Sequence, residues 1–253
     1  MQVLVRSLLA GMIFFILVFP VSSYSQITIE DTDIPSTVGT ELIYFDTFLG
    51  TPVTFPFDVE TTEPDHYWDF SQADTITGRY ATDTYLDPSL SPLPDINLLV
   101  KSEIEFMPGL SVVRKSHYNL SSTSMLLMAY ELYAEPAMFD SLFFPADPEW
   151  LGYQLPVNYQ SNCTSTSYLY QFTNGIPTDT TYNKTDFVID GWGQVLTLYQ
   201  LYDCLRLKTL QYDWDDIQGW VDPDTGYYWV ANDIGAVFEV PTYYTEQGQK
   251  LET

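Results

Sequence analysis

Leu98-Leu99-Val100-Lys101-Ser102-Glu103-Ile104-Glu105-Phe106-Met107 runs into Pro108-Gly109 and continues as Leu110-Ser111-Val112-Val113-Arg114-Lys115-Ser116-His117-Tyr118. In the first segment Leu98, Val100, Ile104 and Phe106 alternate with Leu99, Lys101, Glu103 and Glu105. That two-residue period belongs to a strand with one buried face. Met107-Pro108-Gly109 breaks the run and the alternation resumes after it, so Leu98 to Tyr118 predicts a β-hairpin.

The same chemistry recurs outward from this hairpin. Ser124 to Tyr133 is apolar on both faces and fits a buried central strand or a short helix, ended by Pro136. Tyr168, Tyr170 and Phe172 alternate with Ser167, Leu169 and Gln171 ahead of Asn174-Gly175, a turn in which Gly accepts positive φ. Thr181 to Ile189, Gln194 to Tyr199 and Cys204 to Tyr212 are rich in β-branched and aromatic residues, with Asp190-Gly191 expected as a turn between the first two. Asp222-Pro223-Asp224-Thr225-Gly226 predicts a tight connection before a strand from Tyr227 to Ala231, and Ala236 to Val240 a last strand. Thr61 to Asp95, with four prolines, reads as a loop-rich excursion packed on the sheet by Tyr67, Trp68 and Phe70. The expected fold is all-β and mainly antiparallel: a strongly curved sheet, half-barrel or two-layer sandwich with at most one or two short helices.

The chain has 253 residues. Arg6, the apolar run Leu8 to Val18, and Ser23-Tyr24-Ser25 before Gln26 predict a secretory signal peptide over residues 1–25. The apolar run is shorter than the roughly 20 residues a bilayer crossing requires, and no later segment reaches that length. The expectation is an exported chain, periplasmic or extracellular, without a membrane span. It would comprise one β-rich domain over residues 26–244 and a frayed polar tail over residues 245–253.

Hydrophobic residues make up 45% and aromatics 16%, enough for a real core. The formal charge is -25, and -26 without Arg6, since eight Lys and Arg then face 34 Asp and Glu. Such a surface repels phosphate backbones, which excludes nucleic acid as a partner and leaves cations and neutral ligands.

Four patterns, Trp68-Asp69-Phe70-Ser71, Asp190-Gly191-Trp192-Gly193, Asp203-Cys204-Leu205-Arg206-Leu207-Lys208-Thr209 and Tyr227-Tyr228-Trp229, occur in this order. Together they resemble a group of uncharacterised, β-rich exported proteins from bacteria that use type IX secretion. Members commonly carry a C-terminal sorting domain, whereas this chain stops at Thr253, soon after its last expected strand. The strand with an Asp-Gly turn leading to Cys-Leu-Arg-Leu is also similar to the half-barrels of periplasmic lipoprotein carriers. That likeness implies an aromatic-lined concave face able to shelter an acyl chain.

Candidate sites follow from residue type. Arg206 and Lys208 are scarce cations that alternation places on one face with Cys204, while Leu205 and Leu207 face the other way. They could pair with nearby Asp, or hold an anionic headgroup beside Trp192 and Trp229. Asp213, Asp215, Asp216, Asp222 and Asp224 supply hard oxygen ligands for a calcium ion, although the spacing is not an EF-hand: from Asp222, Gly226 falls at position 5, where the loop requires glycine at 6. A turn without metal is the competing reading, and no other cofactor is indicated. Cys163 and Cys204 could bridge in an oxidising compartment, contributing roughly 4 kcal/mol, or remain buried thiols. His66 and His117 show no metal-ligand spacing. No Gly-x-Ser-x-Gly elbow, His-Glu-x-x-His helix or phosphate-cradling glycine loop occurs, which disfavours an enzyme. The expected function is a non-catalytic binding or structural module of the cell envelope, contacting a hydrophobic, glycan or protein ligand. A lipid or lipoprotein carrier and a carboxylate-dependent glycan hydrolase are the alternatives.

Overall fold

The computed structural model describes residues 27–46, 64–71, 79–137, 141–173, 175–197, 199–215, 219–220, 223–233, 235–241, 243–244 and 250–251. The expected signal peptide, and residues 245–249 and 252–253 of the expected tail, lie outside them. Lys250–Leu251 pairs with Tyr243–Tyr244, so that part of the tail is a strand and not a frayed end.

Thirteen strands form one sheet. In chain order they are β1 (Glu41–Asp46), β2 (Pro64–Asp69), β3 (Arg79–Leu86), β4 (Leu98–Met107), β5 (Leu110–Ser121), β6 (Ser124–Glu135), β7 (Leu142–Gln154), β8 (Asn162–Thr173), β9 (Ile176–Leu196), β10 (Leu201–Asp215), β11 (Gly219–Trp220), β12 (Asp224–Ala231) and β13 (Gly235–Pro241). Eleven of them run β1-β3-β4-β5-β6-β7-β8-β9-β10-β12-β13, an open antiparallel meander with β1 and β13 at its ends. The hairpin read from Leu98 to Tyr118 is β4–β5, with Lys101 opposite Lys115. Ser124 to Tyr133 is a central strand, its residues alternating between two partners. Helical structure among the described residues is limited to two three-residue 3-10 turns, Asp31–Asp33 and Pro88–Leu90. No helix there is long and apolar enough to cross a membrane.

The excursion expected over Thr61 to Asp95 contributes two strands. β3 joins the meander, and β2 pairs parallel with the C-terminal part of β9, Trp68 lying opposite Val195. β9 is long enough for this: β8 occupies one of its edges up to Val188 and β2 takes that edge from Trp192 onward, while β10 covers the other. Asp190-Gly191, expected as a turn, is instead a bulge within this continuous strand, because Arg206 pairs with Gly191 and Leu207 with Ile189, leaving Asp190 extra.

The sheet curls. Leu205, Leu207, Ile189 and Val230 form a cluster with Ile29, Leu155 and Val157, while Tyr85, Leu98 and Val100 form another, and both Ile34 and Leu120 pack against each. Leu120 of β5 and Leu205 and Leu207 of β10 therefore belong to one apolar layer, with Ile29, Leu155 and Val157 between the strands' ends. The concave side is thus a continuous core. Residues 27–34 cross it as a strap, with Ile29 and Val157 exchanging backbone hydrogen bonds and Asp33 accepting from the Asp233 amide.

Candidate functional site

The four motifs converge on β10. Cys204, Arg206 and Lys208 share the convex face, and Leu205 and Leu207 the concave one, yet Cys204 through Leu207 are all buried because both faces are covered. On the convex side Trp68, Phe70, Val195, Tyr227, Trp229 and Ala231 pack around Cys204. Arg206 lies within this layer, its guanidinium carbon 5.6 Å from the Trp68 ring centre and 5.2 Å from that of Tyr227. The bulge turns the Asp190 carboxylate toward it, and Arg206 Nε–H donates to Asp190 Oδ1 at 2.8 Å. Trp229 meets both Trp68 and Phe70 edge to face.

Space for this arrangement comes from glycine. A Cβ on Gly191 would stand 3.4 Å from Arg206 Nε. At Gly193, where φ is +154°, a Cβ would collide with the His66 backbone, so only glycine lets β2 lie against β9.

This placement corrects the sequence reading of a headgroup site. Arg206 and Trp229 are fully buried, and the guanidinium already has a carboxylate partner. Lys208 is half-buried with its ammonium 5.7 Å from the Tyr227 ring centre, and Trp192 points the opposite way, onto the concave core. The four residues form no common binding surface.

Of the two readings of the cysteines, bridge or thiols, the structure takes the second: Cys163 and Cys204 are free thiols. Cys163 pairs with Phe187, which pairs with Thr209, so it lies two strands across and five residues along from Cys204, on the other face of the sheet. A bridge needs Cα atoms about 4.4–6.8 Å apart. Burial pushes both thiols up.

Of the acidic cluster, Asp216 and Asp222 lie outside the described residues. Asp213 and Asp215 end β10, and Asp224 opens β12 opposite Gln211. Among the described residues no three His, Cys, Asp or Glu side chains gather as metal ligands.

One buried polar relay had no sequence signal. His117 is fully buried on the convex face; its Nδ1 lies 2.8 Å from Ser91 Oγ and its Nε2 3.5 Å from Glu131 Oε1. Lys115 Nζ stands 3.2 Å from the other Glu131 oxygen. The His117 hydrogen bond and Lys115 hold the Glu131 carboxyl below the usual range against the opposing effect of burial. A serine, a histidine and a carboxylate in line could activate a nucleophile. Here, however, Ser91 Oγ also accepts the Leu93 N–H, and the imidazole is sealed from solvent, so the relay fastens the 87–97 loop to the sheet.

A partly exposed row of aromatics lies farther along the same convex face. Tyr168 on β8 stacks on Tyr182 of β9, ring centres 4.4 Å apart and 8° from parallel. Tyr182 is followed by Trp214 of β10 at 6.0 Å, and Tyr168 is flanked by Tyr170 at 6.4 Å. Phe172 and its cross-strand partner Phe143 extend the row onto β7. Tyr168 is 40% exposed and Trp214 48%, unlike the buried aromatics around Arg206. Alternation alone places Tyr168 and Tyr170 on one face; only the register brings Tyr182 beside them.

Among the described residues, one crevice opens on the concave side. The crevice beside Val157, Cys163, Phe187, Ile189 and Leu207 measures about 20 Å³. That is water-sized, whereas ligand pockets run to about 300–1,000 Å³.

Compared with known proteins, the chain matches no family model, no curated protein and no solved structure.

Proposed function

We propose that this protein is an exported, non-catalytic binding module of the cell envelope that makes its contacts through the convex aromatic row. One observation carries the reading: Tyr168 and Trp214 stand 40% and 48% exposed in a six-aromatic row, while Trp68, Phe70, Tyr227 and Trp229 on the same face are buried. Large apolar groups left in water at one place mark an interaction surface, because burying them against a partner is favourable. Cross-strand stacking accounts for the order of the rings but not for their exposure.

The carrier alternative requires an internal cavity, and the concave crevice lined by described residues, at about 20 Å³, does not supply one. The test is retention of the mature protein on envelope fragments of its host, comparing the native chain with Tyr168→Ser/Tyr182→Ser/Trp214→Ser. Loss of retention with an unchanged melting temperature is expected. Undiminished retention by a folded triple variant would overturn the reading.

A further inference from the structure

We infer that the ligand of this convex surface is an uncharged glycan chain lying along β8 and ending its aromatic contact on Trp214, an inference that rests on the reading above. The face beside the aromatic row decides the class. Asn162, Thr164 and Thr166 precede Tyr168 and Tyr170 at every second position of β8, so an amide and two hydroxyls lead into two phenols on one face; all are exposed except the half-buried Tyr170. Opposite them on β9 lie Val188, Asp186, Lys184, Tyr182 and Thr180, and beyond the first three, on β10, Lys208, Leu210 and Tyr212, with Trp214 two residues farther along β10. A pyranose ring has the complementary pattern: an apolar C–H face that packs on an aromatic surface and a rim of hydroxyls that needs donors and acceptors.

Charge selects among glycans. Two ammoniums lie in this strip: Lys184 is 3.7 Å from Asp186 Oδ2 and 4.3 Å over the Tyr212 ring, and Lys208, in register with Val188 and Asn162, is half-buried 5.7 Å from the Tyr227 ring centre. Asp186 Oδ1 also accepts from Thr164 Oγ1 at 2.6 Å. Charge at longer range decides against a uronate or sulfated chain, because a chain carrying -25 repels polyanions.

Geometry selects a chain over a single sugar. Asn162 to Tyr170 is nine residues of extended strand, eight rises of ~3.3 Å or about 26 Å, on an open sheet face. Such a surface gains affinity by many shallow contacts along a polymer. The faces of Tyr168 and Tyr182 are turned to each other, so those rings present edges and hydroxyls. Trp214, 55° from the plane of Tyr182 and nearly half exposed, supplies the stacking surface.

The experiment uses mature protein and host envelope fragments divided into three portions: untreated, protease-treated and periodate-oxidised, the last to cleave vicinal diols of sugars. Retention should survive protease, be lost after periodate, change less than about twofold between low and high salt, and fall about tenfold in Trp214→Ala, which corresponds to ~1.4 kcal/mol. Thr166→Val, which keeps shape and removes an exposed hydroxyl, should weaken retention without lowering the melting temperature. Loss after protease, survival after periodate, or collapse at high salt overturns the glycan assignment. If retention then still depends on Tyr168, Tyr182 and Trp214, the contact surface stands and only its ligand changes; if it does not, both fall together.

Discussion

Arg206 and Asp190 meet at 2.8 Å inside a wall of aromatic side chains, and the pair exists because β9 carries one residue more than β10 at that point. The guanidinium side chain is 0% exposed and the carboxylate 13%. Desolvating two charges is costly, and their attraction offsets that cost only while both are present.

Removing one partner should therefore be severe. Asp190→Ala is expected to lose about 3–5 kcal/mol by leaving a buried cation uncompensated. Asp190→Leu/Arg206→Met, which removes both charges, should lose less than the two single changes added together. Urea denaturation of the four proteins closes the double-mutant cycle; strictly additive losses would mean that the pair is not coupled.

Gly193→Ala tests the approach of β2 to β9. The new methyl group meets His66 backbone, which has no flexible end to give way. Amide exchange over residues 66–69 should accelerate far more than over β4 and β5, reporting detachment of the parallel strand. Uniform acceleration through all strands would contradict a local role.

Glu131 predicts a pH dependence. Its folded-state pKa lies below the unfolded value of about 4.3, because His117 and Lys115 favour the carboxylate. A depressed acid stabilises fully above the unfolded value, and that contribution is lost as pH falls through the folded one. The stability difference between the native chain and Glu131→Gln should thus stay level from pH 7 to about 5 and shrink below about 4.3. A difference that grows on acidification would refute the assignment.

Both thiols should be countable without reductant. Unfolded protein is expected to titrate two sulfhydryls, and folded protein to react slowly at Cys163 and not at Cys204, whose sulfur is buried beside Trp229 and Val195. A mass two hydrogens lighter than the thiol form would establish a bridge instead.

The β4–β5 hairpin was legible because half-buried strands write their exposure into every second residue, and Pro108-Gly109 marks the reversal. β9 was not, for an equally physical reason. Its buried positions Asn183, Thr185, Ile189, Gly191, Gly193 and Val195 are all odd-numbered, yet the first three face the concave side and the last three the convex one. The bulge at Asp190 flips the face without interrupting the strand, and the Asp-Gly that makes it is the pair that makes turns. Trp68 and Phe70 were expected to pack on the sheet, but joining it in parallel requires a free length of β9 edge that no local pattern announces.

Composition and alternation by themselves determined an acidic, antiparallel β protein with a large aromatic core, since charge and strand period are properties of the chain. Which aromatics are core and which are surface was decided only by tertiary structure. Tyr227 and Tyr168 have the same side chain in similar strands, and they differ because β2, brought from far along the chain, covers one and nothing among the described residues covers the other to the same depth.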